Sequence, residues 1–497
     1  MIDEIYKAIE VINKQLDLSI NNETINKIIG IVNSCCKFND NELAGCINVC
    51  TKDKLIYLQE RATWAEYTGV KWQDCNDVRV YYRLLLPLIN NIINDYFDNN
   101  PPMGTKLENQ REELRRNQIR AKLANFGATS TYRNVLYMHE IPAGISVSEL
   151  DGHYSDYMIN IPSGTIILEK DGSYTLKKHE YKDYITKVMN ADIMANAGTL
   201  WIEFITRTIP NEKTRHFFQK YCGYLLTGKS NEQMLVILFG KGGTGKSVCV
   251  ESLHYLLGDY ATTIPIESLL ATRNDGGVTA TPDIAKTKGK RLVTTSEAGQ
   301  NRMFKTDLIK LLTGSETITA RYLYGNSFEF DPTHKILMST NHMPTVPSSV
   351  DSGLARRLCI IPFNQVVKPE DRDTNLLEKL QKPEEMAGLL QWCLDGYKMY
   401  KESNLALMAQ LPPEVAGMVQ GYITESDTLG QFINDECVIG DGEKGYLKQM
   451  LEAYTEYVGT RVKRNIFSRE MEERGYKKER DKKGIYFKGI SMAYMMV

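Results

Sequence analysis

The stretch LVILFGKGGTGKSVCVESL, residues 235–253, constrains this chain more than any other. An apolar run reads as a buried strand, a glycine-rich turn follows, and Lys246 and Ser247 open a helical pattern. Gly240-Lys-Gly-Gly-Thr-Gly245-Lys246-Ser247 fits G-x-x-x-x-G-K-[ST]. Glycines let backbone N–H groups curl around phosphate with no Cβ in the way, and a helix start adds positive potential. In that geometry Gly240, Gly242, Gly243, Thr244, Gly245, Lys246, Ser247 and Val248 form a nucleotide cradle. Lys246 reaches the β and γ phosphates of ATP, and Ser247 ligates Mg2+. Gly240, Gly242 and Gly245 also spell the dinucleotide pattern G-x-G-x-x-G, but Lys-Ser directly after it argues for a nucleoside triphosphate.

Three further segments bring polar groups to apolar strands. In GKRLVTTSEAGQ, Leu292 to Ser296 read as a buried strand with Glu297 at its carboxyl end, where ligands of open α/β sheets collect. An acid there polarises an attacking water or holds the metal; alternatively it merely starts a loop. In HKILMSTNHMP, Lys335 to Thr340 form a strand that ends at Asn341, which can contact the γ-phosphate or orient the water. In SGLARRLCIIPF, Arg356 and Arg357 precede a fourth apolar strand. An arginine so placed often serves a neighbouring subunit's nucleotide, which requires a ring; the alternative is a surface pair that contacts no phosphate.

At 497 residues the chain is too long for one core, so about three or four domains are expected. Its net charge of −2 excludes a uniformly basic nucleic-acid coat, so any such surface is local. No run of about 18 uncharged apolar residues occurs, so no membrane span is expected. The N-terminus lacks the basic-then-apolar layout of a leader, and the ten cysteines read as reduced thiols in a cytoplasm. Cys35, Cys36, Cys46 and Cys50 match no standard zinc spacing and read as buried thiols. Expected divisions are a helical domain over 1–130, a β-rich then helical region over 131–230, the nucleotide core over 231–370, helices over 371–425, and a small domain over 426–497. The charged segment 106–126 reads as a helix facing solvent or a partner.

TITARYLYGNSFEF, residues 317–330, reads as two β runs around Gly325-Asn326, a hairpin turn. Segment 461–488 carries eleven Lys/Arg against five Asp/Glu. A helix, a charged turn at Asp481-Lys-Lys-Gly484 and the strand IYFKGI point to a winged helix, with Lys477, Lys478, Lys482 and Lys483 toward duplex phosphate. The plainer reading is a solvated charged helix.

The order of these parts resembles superfamily 3 helicases of the poxvirus-type branch found in phage and plasmid primase-helicases. It runs from the glycine-rich loop through TTSEAG and LIKLLTGSETITARYLYGNSFEFDPTHKILMSTNHMP to ARRLCIIPF. The resemblance covers roughly residues 150–497, and the layout is similar to that of replication initiator helicases of phage satellites such as staphylococcal pathogenicity islands. It implies an AAA+-like α/β P-loop ATPase core flanked by helical N-terminal domains and a C-terminal winged-helix-like domain. It implies a hexameric ring that translocates on single-stranded DNA, 3′ to 5′, in a bacterial host cytoplasm, driven by ATP and Mg2+.

By resemblance Lys246, Glu297, Asn341 and one of Arg356 and Arg357 are catalytic. Ser247 and Glu297 are the metal residues. The hairpin residues Arg321, Tyr322, Tyr324 and Asn326 face DNA; the alternative is an ordinary edge hairpin. The family often has two adjacent acids at its second motif, and here the first is Ser296. Forked and duplex origin DNA are the implied partners, with a separate primase, because no acidic metal cluster stands in residues 1–130. Two other readings share parts of the pattern: an origin-binding ATPase switch without processive unwinding, and a small-molecule P-loop kinase.

Overall fold

The computed structural model describes residues 2–124, 129–152, 156–271, 282–296, 299, 302–322, 326–345, 352–404, 406–459 and 461–493. The chain divides into two compact units, Met1–Ile167 with Leu176–Val188, and Leu168–Thr175 with Met189–Val497.

In the first unit, helices α1 (Ile2–Leu16), α2 (Asn22–Ser34), α3 (Asp40–Thr51), α4 (Arg79–Asn99), α5 (Lys106–Ala124) and α6 (Thr129–Glu140) carry the core. Asn21 and Asn39 open α2 and α3 with capping boxes, which satisfy the first free amides. Helix α4 follows its apolar spacing, burying Leu85, Leu88, Ile89, Ile92 and Ile93. The charged α5 buries only Ile119 and Leu123 among its apolar residues, and its arginines have a structural use. Arg115 donates to the Val32 carbonyl at 2.9 Å and Arg116 to that of Asn100 at 2.7 Å, so two guanidinium groups satisfy the carbonyl ends of α2 and α4.

Two stretches depart from the expected elements. Residues 55–74, expected to be helical, form strands β1 (Leu55–Leu58), β2 (Thr63–Tyr67) and β3 (Trp72–Asp74), which join β4 (Gly144–Ile145) in the order β3-β2-β1-β4. Tertiary burial decides there: Ile56, Leu58, Ala65 and Trp72 make their own small core. Conversely α6 lies where short strands were expected, with Val135 and His139 buried on one helical face. Strands β5 (Met158–Ile161), β6 (Gly164–Leu168) and β7 (Tyr174–Lys177) form the expected meander.

The second unit is mixed α/β. Helices α7 (Leu200–Thr208) and α8 (Glu212–Leu225) precede β8 (Leu235–Phe239) and α9 (Lys246–Leu257). Next come β9 (Ala261–Thr263), α10 (Pro282–Ala285), β10 (Leu292–Ser296) and α11 (Thr306–Thr313). The hairpin β11 (Ile318–Arg321) and β12 (Ser327–Phe330) leads to β13 (Lys335–Thr340), α12 (Ser352–Ala355) and β14 (Leu358–Pro362). Five strands form a parallel sheet in the order β14-β8-β13-β10-β9. Burial on both faces explains the unbroken apolar runs of β8 and β14, and every residue of β13 and β14 is buried, the polar ones of β13 included.

Helices α13 (Leu376–Leu380), α14 (Pro383–Glu402) and α15 (Pro413–Ser426) follow. The C-terminal part holds α16 (Thr428–Glu436), β15 (Cys437–Tyr446), α17 (Leu447–Val458), α18 (Arg464–Glu473), β16 (Lys478–Asp481) and β17 (Gly484–Met492). Its three strands pair as β15-β17-β16 over a core that includes Phe432, Met450, Phe467, Phe487 and Ile490. Among the described residues no helix is long and apolar enough to cross a membrane.

Candidate functional site

Register sets the site. Phe239 pairs with Thr340, and Ser339 with Ser296, so β8, β13 and β10 end level. Gly240 and Asn341 therefore follow adjacent strands, and Ser296 ends the next one, with β13 between the loop strand and the strand of Ser296. Ser296 and Asn341 are exposed at this edge. Glu297 lies outside the described residues, as does Tyr324.

The loop has the backbone its glycines allow. Gly243 and Gly245 have φ of 77° and 88°, a region costly for any residue with a Cβ. No side chain caps α9 at Gly245, so the first-turn amides of this helix remain for a ligand. Lys246 is buried, and its ammonium donates to the carbonyls of Gly240 at 2.7 Å and Lys241 at 2.8 Å. Thr244, also buried, donates to the Lys241 carbonyl at 3.0 Å and tightens the turn. Gly242, Gly243 and Ser247 are exposed and Val248 is half-buried. This arrangement fits a polyphosphate. The cradle combines backbone amides, a lysine held on weak carbonyl acceptors, and a hydroxyl at the helix start where a phosphate-bound Mg2+ can be met.

Three contacts to the loop had no signal in any motif. A Cβ on Gly245 would stand 2.9 Å from Thr208 Cγ2 and 3.0 Å from Phe204 Cε2, so α7 packs directly against the phosphate turn. Arg372, beyond β14, reaches Gly243. Apolar spacing marks α7 as a helix but does not say which loop it touches.

The arginine pair splits by burial. Arg357 is buried and donates to the Gly353 carbonyl at 2.5 Å, whereas Arg356 is exposed. Both stand at the far edge of the sheet, because Leu358 pairs with Leu235, the first residue of β8. The length of β8 therefore separates Arg356 from its own chain's loop, about 13 Å at 3.3 Å per residue.

The hairpin pairs Ile318 with Phe330 and Arg321 with Ser327. Arg321, Tyr322 and Asn326 are exposed, while Ala320 and Phe330 turn into the core. Tyr322 stacks on Phe328 with ring centroids 5.0 Å apart, and Lys288 lies 5.1 Å above the Phe328 ring. In the C-terminal part, Lys477, Lys482 and Lys483 are exposed at or beside the β16–β17 hairpin. Lys478 instead ties back to Glu472 at 2.8 Å and Ser468 at 3.1 Å on α18.

Two family models match parts of the chain. One, described as a family of unknown function (DUF5906), covers residues 238–357; the other, described as D5 N terminal like, covers residues 47–210. A protein of Acanthamoeba polyphaga mimivirus named as a putative helicase is 30% identical over 258 residues, 48% of this chain and 26% of that protein. One of Frog virus 3, named likewise, is 24% identical over 256 residues, 48% of this chain and 25% of its own length. Another from Sputnik virophage is 24% identical over 53% of this chain and 36% of that protein. The chain thus spans about a quarter to a third of these relatives. The apo C-terminal region of NrS-1 aligns with a TM-score of 0.36 at 13% identity, over 60% of this chain and 76% of that one, a likeness too low to carry an argument. In sequence, then, the loop and sheet edge fall within the segment matched by the family of unknown function, and about half of the chain is similar to proteins named as putative helicases of DNA viruses.

Proposed function

We propose that this chain is an ATP-driven replicative DNA helicase of a mobile genetic element, acting as a hexameric ring on single-stranded and forked DNA and loading at a duplex origin. The observation that carries the reading is the split between sheet edges. Lys246, Ser247, Ser296 and Asn341 gather at one edge, while the exposed Arg356 stands at the other, out of reach of its own loop. Similarity to viral proteins named as helicases supports the same reading.

Lys246 exchanges its loop carbonyls for the β and γ phosphates, and the amides of Gly243 to Val248 hold the phosphate chain. Mg2+, met by Ser247, neutralises phosphate charge when bound. Glu297 polarises the attacking water and Asn341 positions it, both assigned by resemblance. Arg356, rather than the buried Arg357, is the finger that stabilises transition-state charge in the neighbour's site. The β11–β12 hairpin offers Arg321, Tyr322, Tyr324 and Asn326 to the strand, by phosphate contact and by stacking. Residues 426–497 form a winged helix in which Lys477, Lys482 and Lys483 meet duplex phosphate. A separate primase and a bacterial host, with a phage satellite as the element, complete the reading and rest on the resemblance alone.

Strand displacement on a fork with a 3′ single-stranded tail, with ATP and Mg2+, tests this. Displacement by the wild type on that fork, absent with Lys246→Ala and on a 5′-tailed fork, is the expected result. ATP hydrolysis and DNA binding without release of a strand would replace the helicase by an origin-binding switch. Hydrolysis indifferent to DNA would remove both.

A further inference from the structure

After β14 the chain turns back over the glycine-rich loop. The Phe363 amide donates to the Phe239 carbonyl at 2.7 Å, and the Val367 amide to the Gly243 carbonyl at 3.0 Å. A tight turn at Pro369–Asp371 then aims Arg372 at the loop. Its Nε donates to the Val367 carbonyl at 3.3 Å. A methyl group on Gly243 would stand 2.6 Å from Nη2 and 3.4 Å from Cζ, so the guanidinium lies in contact range of the loop backbone.

Glu370 and Asp371 precede this arginine and Asp373 follows it, but none of them closes an ion pair with it. Among the described residues no carboxylate pairs with Arg372. Asp373, next in sequence, is taken by Lys379 at 2.6 Å and by the Asn375 amide at 3.0 Å. Arg372 is exposed, with one of its five N–H groups committed to Val367. Two other sources of positive potential, the Lys246 ammonium and the uncapped start of α9, serve the same loop. Like charges brought together repel unless an anion lies between them. A planar guanidinium pairs bidentately with phosphate oxygens, and its donors are spare.

We propose that Arg372 is a second cation of the nucleotide site, supplied by the same chain as the loop and directed at the phosphate chain of a nucleoside di- or triphosphate. The assignment rests on the nucleotide reading of the loop given above. It differs from the role of Arg356, which belongs to a neighbour's site.

The test is competitive binding of ATP, ADP and AMP against a fluorescent ADP analogue at fixed ionic strength, with wild type, Arg372→Ala and Arg372→Lys. Arg372→Ala is expected to weaken ATP and ADP by about ten- to a hundredfold, the worth of a charge-assisted pair, and AMP by less than about twofold. Arg372→Lys, which keeps the charge but not the planar fork, is expected to recover part of the loss. Equal weakening of AMP and ATP marks a sugar, base or purely structural role and overturns the proposal. Unchanged ATP affinity in Arg372→Ala overturns it as well. If wild type binds neither ATP nor ADP, the nucleotide reading itself fails, a result distinct from either.

Discussion

Two lysines of the second unit, Lys246 and Lys335, are both buried against backbone carbonyls, at opposite edges of one sheet. Lys246 begins α9 and holds the carbonyls of Gly240 and Lys241. Lys335 begins β13 and holds the Thr227 carbonyl, with the Tyr224 ring 4.6 Å from its ammonium. The difference lies in what surrounds them. Around Lys246 stand exposed glycines, the exposed Ser247 and uncapped amides, so an anion can take over its bonds. Lys335 is enclosed by Tyr224, Met234, Leu312, Thr313 and His334, around a cavity of about 10 Å³, room for about one water. A buried cation with satisfied, enclosed partners belongs to the fold; one whose partners open onto an exposed loop can exchange them for an anion.

The substitutions that separate the two sites differ most in activity. Lys246→Ala is expected to lower ATP hydrolysis by about a hundredfold or more, with a smaller drop in the thermal midpoint of unfolding than Lys335→Met produces. Lys335→Met is expected to do the reverse. It leaves the buried Thr227 carbonyl without its donor, costs about 1–3 kcal/mol in a denaturation curve, and leaves ATP affinity within about twofold. If Lys335→Met abolished nucleotide binding while the protein stayed folded, the contrast between the edges would be lost.

A second effect on stability comes from pH. Burial, with the Lys335 ammonium beside it, pushes the His334 imidazole down to about 4 from its ordinary 6.5. Between those values the unfolded chain takes the proton and the folded chain does not. Stability is therefore complete above pH 6.5 and falls as pH drops toward 4, by up to about 1.4 kcal/mol per unit. His334→Asn is expected to flatten that slope in urea unfolding measured from pH 7 to 4.5. A residual slope remains, because burial also holds His139 of the first unit down to about 3.

What could be read without coordinates follows the same division. The strand, turn and helix around Gly240–Ser247 are contiguous, and each local preference agrees with the next. Strands β10, β13 and β14 are legible as apolar runs because parallel strands are buried on both faces. The β11–β12 hairpin is legible from its two β runs, and Gly325 of the expected turn lies outside the described residues. Strands β1–β3 were not, because they are short and become strands through the small core around Trp72. Helix α6 was missed because its buried face is built from a tyrosine and a histidine as much as from aliphatics; Tyr82 of α4 meets His139 at 2.6 Å. Nothing local separates Arg356 from Arg357; only the Gly353 carbonyl, which takes one guanidinium, does. Arg372 and Phe204 meet the loop from 129 and 41 residues away in sequence, and no spacing rule reaches that far.

The central claim is that Lys246 and Arg356 complete one catalytic site from two chains. Mixing tests it most directly. Lys246→Ala and Arg356→Ala proteins, each expected to be inactive alone, are combined and ATP hydrolysis is measured against total protein. If Arg356 serves a neighbour, sites that pair a wild-type loop with a wild-type Arg356 form at random, and hydrolysis returns to a fraction of the wild-type rate. If the mixture stays as inactive as its components, or if Arg356→Ala alone hydrolyses ATP like the wild type, the shared site is contradicted.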